Sequence, residues 1–173
     1  MVLAIFVKQE LMITMAKQKK ILIVDDNPGV LSALMLLLKE VFGQIIALPS
    51  PVTIPSVLRT ENPDVVLLDM NFTDALNSGN EGLYWLHEIK RMNPALPVVL
   101  FTAYADIDLA VRGIKEGATD FVVKPWDNAR LVDTLKKAFG QASGSPKKKE
   151  ERASSAMYWG AGASMRELRM MVE

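Results

Sequence analysis

The chain has 173 residues, half of them apolar and 23% charged, enough to bury one ordinary core with about 50 residues left over. No cysteine and a single histidine, His87, exclude a disulfide scaffold, a thiolate metal site and a zinc site of ordinary composition. The net charge of zero averages unlike segments: residues 21–141 hold 10 Lys/Arg against 15 Asp/Glu, while both ends are net basic. An acidic body argues against direct nucleic-acid binding.

Residues 1–14 are apolar, but the run Val2–Val7 is too short to span a membrane and lacks the flanks of a targeting signal. Met15-Ala16-Lys17-Gln18 reads as a natural start, so residues 1–18 are expected to be an N-terminal extension. Ile21–Val24 is a short β-branched-rich strand. Asn27-Pro28 then opens a helix as N-cap and first helical residue, expected to run to about Phe42 and end at Gly43. Gln44–Leu48 is a second strand. Pro51 and Pro55 confine the next helix to a short piece, capped by Thr53 and ending near Glu61. Val65–Leu68 is a third strand, followed by a polar loop from Met70 to about Glu81. A helix over Leu83–Met92, a strand over Val98–Phe101 and a helix over Asp106–Glu116 closed by Gly117 follow. The last pair is a strand at Phe121–Val123 and a helix over Asn128–Phe139 closed by Gly140. Five apolar strands alternating with five helices predict an α/β domain whose parallel sheet is covered on both faces.

In such sheets functional groups collect at the carboxyl ends of the strands, beside the topological switch point. Those ends carry Asp25 and Asp26, then Asp69, then Thr102, then Lys124 with Pro125. Two like charges about 4 Å apart at an effective dielectric near 20 repel by roughly 4 kcal/mol. Three converging carboxylates therefore need compensating charge. Lys124 supplies one, and a hard divalent cation such as magnesium, which favours carboxylates, water and phosphate oxygens, supplies the rest.

Together, Ile21–Asp26, Val65–Asp69, Val98–Thr102 and Phe121–Pro125 resemble the receiver domain of two-component response regulators, over residues 19–141. The resemblance implies a flavodoxin-like (βα)5 fold with strand order 2-1-3-4-5. It implies Asp69 as phosphoacceptor, and Asp25, Asp26, Asp69 and the main-chain carbonyl of Asn71 as the magnesium ligands. Thr102 and Lys124 would contact the phosphoryl oxygens, Thr102 and Phe121 would form the switch, and Tyr104 would stand at the mouth of the site. The implied partner is a sensor histidine kinase, with self-association an option, in the cytoplasm and without a membrane. Catalysis would be limited to magnesium-dependent self-phosphorylation and autodephosphorylation, so the chain is not expected to be an enzyme in the ordinary sense. An aspartyl phosphohydrolase fits less well, for want of a substrate pocket and a separate acid–base residue.

The loop after Asp69 departs from the family: it reaches Gly82 only thirteen residues on, about five later than usual, and lacks the common proline. His87 reads as a solvated surface residue, and Trp126 as packing between strand and helix. Residues 142–155, with Gly144, Pro146 and a Lys/Glu/Arg run, read as a linker. The stretch Trp159–Leu168 resembles the first helix of the AAA+ ATPase domain in sigma-54-dependent activators of the NtrC type, so residues 156–173 are expected to begin such a domain. The Ala103–Gly117 and Lys124–Asn128 stretches also look like that subfamily. A phosphate-binding Gly-x-x-x-x-Gly-Lys-Ser/Thr run does not occur. Sigma-54 RNA polymerase and DNA would then be reached only through output domains outside this stretch. The alternative is a stand-alone receiver acting by protein contacts.

Overall fold

The computed structural model describes residues 3–5, 7, 19–72 and 80–142. Among the described residues from 19 onward, five strands alternate with five helices: β1 Lys20–Val24, α1 Pro28–Leu38, β2 Gln44–Leu48, α2 Ile54–Glu61, β3 Val65–Asp69, α3 Asn80–Met92, β4 Val98–Ala103, α4 Ile107–Lys115, β5 Asp120–Lys124 and α5 Asn128–Ala142. All strand pairs are parallel, in the order β2-β1-β3-β4-β5. Residues 3–5 and 7 are helical, with Leu3, Ile5 and Val7 exposed. Among the described residues no helix is long and apolar enough to cross a membrane.

The continuous apolar runs of the strands split into two cores because successive side chains point to opposite faces. Ile21, Ile23, Val65, Leu67, Val99 and Phe101 meet Leu31, Leu34 and Leu38 of α1 and Leu131, Leu135 and Phe139 of α5. Leu22, Val24, Val66, Leu68, Val98 and Leu100 meet Ile54 and Leu58 of α2 and Leu83, Leu86 and Ile89 of α3. The helical partners recur three or four residues apart, one stripe per helix.

Several boundaries differ from those the sequence predicts. α1 stops at Leu38 rather than Phe42; Val41 and Phe42 both donate backbone N–H to the Leu38 carbonyl. That tightening buries Phe42 against Phe139, ring centroids 4.9 Å apart. Thr53 is not a side-chain cap of α2; the capping oxygen belongs to Ser50, on a 3-10 turn at Pro51–Thr53. β4 runs on to Ala103, and a 3-10 turn at Tyr104–Asp106 precedes α4. α5 passes through Gly140 to Ala142, since an exposed helical glycine costs only about 1 kcal/mol relative to alanine and nothing there forces a stop.

The expected polar loop after β3 begins with core residues: Met70 and Phe72 are buried. Residues 73–79, which carry the extra length, lie outside the described residues, as do the expected linker and ATPase-like segment from residue 143 onward. α3 starts at Asn80, three residues before Leu83, and presses Gly82 onto Met70. A Cβ at Gly82 would stand 2.6 Å from Met70 Cα and 2.8 Å from its carbonyl oxygen, whereas one at Gly113 would meet the movable Leu100 Cδ1 at 2.4 Å. Gly82→Ala is therefore expected to lower stability by about 2–3 kcal/mol and Gly113→Ala by about 1 kcal/mol. Urea unfolding of both variants checks the order; equal losses would show that α3 can back away from Met70.

Candidate functional site

Register builds the site. Val24 pairs with Leu68, so Asp25 leaves β1 beside Asp69 at the end of β3. Asp69 pairs with Phe101, and Phe101 with Val122, which sets Thr102 one step and Lys124 two steps further along the same edge. β1 and β3 are neighbours although β2 lies between them in sequence, so this edge is the switch point of the sheet.

Carboxylate oxygens of Asp25, Asp26 and Asp69 all lie within 4.8 Å of one another. Asp25 and Asp69 are 1% and 4% exposed, and Asp26 is half-buried. The Lys124 ammonium reaches across from β5 and pairs with Asp25 Oδ2 at 2.6 Å and Asp69 Oδ1 at 3.0 Å. It also lies 4.6 Å above the Phe101 ring, whose own neighbour is the Trp126 ring at 5.2 Å. Asp25 Oδ1 accepts from the Asn27 backbone N–H at 2.9 Å, and Asn27 in turn caps α1 through Gly29 and Val30 N–H. Asp69 Oδ1 accepts from Asn71 N–H at 3.3 Å. Burial lifts the Asp69 carboxyl to about 6; Lys124 opposes the rise, Asp25 adds to it, and the hydrogen bonds from Lys124 and Asn71 hold it back.

The other expected site residues stand around this cluster. Thr102 is fully buried, and its hydroxyl makes two long contacts of 3.4 Å to the Ala103 and Asp106 carbonyl oxygens. Phe121 is half-buried on β5 and packs against the second core. Tyr104, 79% exposed, begins the turn after β4. Trp126 packs on a strand residue, as the sequence suggests. His87 is exposed but not merely solvated: its Nε2 lies 2.9 Å from Glu116 Oε2 just beyond α4, joining α3 to that end of the helix.

Sequence reasoning missed two features. One is the aromatic support under Lys124 from Phe101 and Trp126. The other is Asp106, whose Oδ2 accepts from Asn71 Nδ2 at 2.5 Å. In sequence Asp106 reads as the first residue of a helix, and nothing local to it indicates a partner 35 residues away.

Hard oxygen donors this close suit a divalent cation, and three carboxylates beside one lysine leave the cluster net negative when all are ionised. Asp69 is raised from 3.8 unfolded to about 6 folded. In that window the folded chain keeps a proton that the unfolded chain has lost, so stability falls as pH rises through it. The two-unit shift corresponds to about 3 kcal/mol at pH above 6. In chelator, Asp69→Asn is expected to be about 2 kcal/mol more stable than wild type at pH 7.5 and nearly equal to it at pH 4. Urea midpoints at both pH values check this; a gain independent of pH would place its source elsewhere.

Comparison with known proteins agrees with this geometry. The response regulator receiver domain family matches residues 21–136. The chain is 36% identical over 119 residues to the transcriptional regulatory protein ZraR of Salmonella typhimurium, covering 68% of this chain and 26% of that protein. It thus spans about a quarter of that relative's length. A crystal structure of the N-terminal signal receiver domain of a two-component system response regulator from Bacteroides fragilis is 67% identical, with a TM-score of 0.65, covering 70% of this chain and 97% of that one. NtrX from Brucella abortus is 28% identical, with a TM-score of 0.66, covering 73% of this chain and 28% of that one. A doubly wound parallel sheet with an acidic cluster and a lysine at its carboxyl edge, matched over these residues, places the chain in the response regulator receiver domain family.

Proposed function

We propose that Asp69 accepts a phosphoryl group from a phosphohistidine of a sensor histidine kinase. The observation that carries this reading is the convergence of Asp25, Asp26 and Asp69 beside a single ammonium, Lys124. A structural ion pair needs one carboxylate. Three together, one of them lifted toward neutrality, make a cluster short of positive charge, which is common at functional sites.

Asp25, Asp26, Asp69 and the Asn71 main-chain carbonyl would hold magnesium. Bound there, it would reduce the negative charge that an anionic phosphodonor meets. The remaining work falls to the chain's own side chains. An ionised Asp69 oxygen bonds phosphorus as the P–N bond breaks and the imidazole leaves. Lys124, already in contact with Asp69, takes a phosphoryl oxygen by a charge-assisted hydrogen bond. The Thr102 hydroxyl gives up only two long contacts to donate to another oxygen. Its departure leaves space for Phe121 to turn inward, which reshapes the surface of α4, β5 and α5.

The output we infer is sigma-54-dependent transcription activation, through further domains that contact the polymerase and DNA. The resemblance of Trp159–Leu168 to the start of an AAA+ domain supports it, as does similarity to a transcriptional regulatory protein of which this chain spans 26%.

Incubation with magnesium and acetyl phosphate is expected to add one phosphoryl mass to the intact wild-type chain and none to Asp69→Ala. No gain, or a gain that persists in Asp69→Ala, would overturn the assignment. Tyr104 stands on the rim, where its ring can shield the acyl phosphate from water. Tyr104→Ala is expected to lose label a few-fold faster in a chase without donor; an unchanged or slower rate would remove Tyr104 from that role.

A further inference from the structure

We propose that Asp106 is a positioning residue for phosphoryl loading: it ties Asn71 to the turn that holds Thr102, and this tie must open before Thr102 reaches the phosphoryl group. The inference rests on Asp69 being the phosphoacceptor.

Asp106 is the N-cap residue of α4, where an aspartate carboxylate ordinarily accepts from the free N–H groups of the first turn. Here it makes no side-chain cap bond. Its Oδ2 accepts instead from Asn71 Nδ2 at 2.5 Å, across the gap between the loop after β3 and the turn after β4. Its carbonyl oxygen accepts from Thr102 Oγ1 at 3.4 Å. Asn71 is fixed at its other end, its N–H donating to Asp69 Oδ1 at 3.3 Å. A continuous path thus runs from the phosphoacceptor through Asn71 and Asp106 to the Thr102 hydroxyl.

The Thr102 hydroxyl has one proton, so it can donate to a phosphoryl oxygen only by leaving the Ala103 and Asp106 carbonyls. While Asn71 grips the Asp106 carboxylate, that carbonyl stays where Thr102 meets it. A bond made only in the empty state shifts the balance away from the loaded one, by a factor set by its own strength. A plain capping role does not explain the geometry, because the carboxylate that would cap α4 is committed to a residue on another loop.

The test is a double-mutant cycle on the full chain, reading the initial rate of phosphoryl gain from acetyl phosphate with magnesium by intact mass. Asp106→Ala and Asn71→Ala are each expected to load about three- to tenfold faster, the factor one net hydrogen bond supplies. The double variant should load no faster than the faster single one. Asp106→Asn, whose amide oxygen still accepts from Asn71, should stay within about twofold of wild type. Asn71→Ala opens the bond without touching α4, so a folding defect confined to Asp106→Ala does not blunt the test. The proposal is overturned if the single effects multiply in the double variant, if neither single variant loads faster, or if Asp106→Asn loads as fast as Asp106→Ala. Absence of label on the wild-type chain would instead overturn the phosphoacceptor assignment and this inference with it; label with multiplying effects overturns this inference alone.

Discussion

The bridge from Lys124 to Asp25 and Asp69 is the contact around which the functional edge is organised. Two nearly buried carboxylates side by side are costly unless an opposite charge stands between them. Lys124 reaches them because β5 is only two strands away from β3 and its register sets residue 124 opposite Ala103, at the end of β4. The ammonium is steadied from below by the Phe101 ring, and that ring by Trp126. A lysine held by two carboxylates and an aromatic face has little freedom left.

The charges at this edge do not balance. Three carboxylates face one ammonium, and burial leaves Asp69 raised to about 6. A core built for stability would not keep such a group. Burial is the main cause of that rise, and Lys124 is what limits it. The surrounding sheet supports this strain on charge with two apolar cores, one on each face.

Thr102 links the cluster to the rest of the domain. It sits in β4, between the core residue Phe101 and the turn that opens α4, and its hydroxyl is held only by long contacts. Around it, packing is tight elsewhere: Gly113 brings α4 against Leu100, and Gly82 brings α3 against Met70. The helices pack closely while this one hydroxyl is held loosely.

The apolar strands, the alternation with helices and the polar groups at four of the five strand ends were legible from the sequence, because burial on both faces forces Ile21–Val24, Val65–Leu68 and Val98–Phe101 to be continuously apolar. The residues of the acidic cluster followed, since a parallel sheet gathers strand ends at one edge. Helix ends were less legible: α1 stops where Phe42 must meet Phe139, and α5 continues through Gly140, decisions made by neighbours or by their absence. Met70 and Phe72 looked like loop and proved to be core, and α3 sets Gly82 directly on Met70. The sequence by itself determined the fold class and which polar side chains stand at the strand ends, as hydrophobic period and strand-end composition are local properties. Only the tertiary structure decided that Lys124 pairs with both Asp25 and Asp69, that burial raises Asp69, and that Asp106 holds Asn71 instead of capping α4, because each of these depends on distance between residues far apart in the chain.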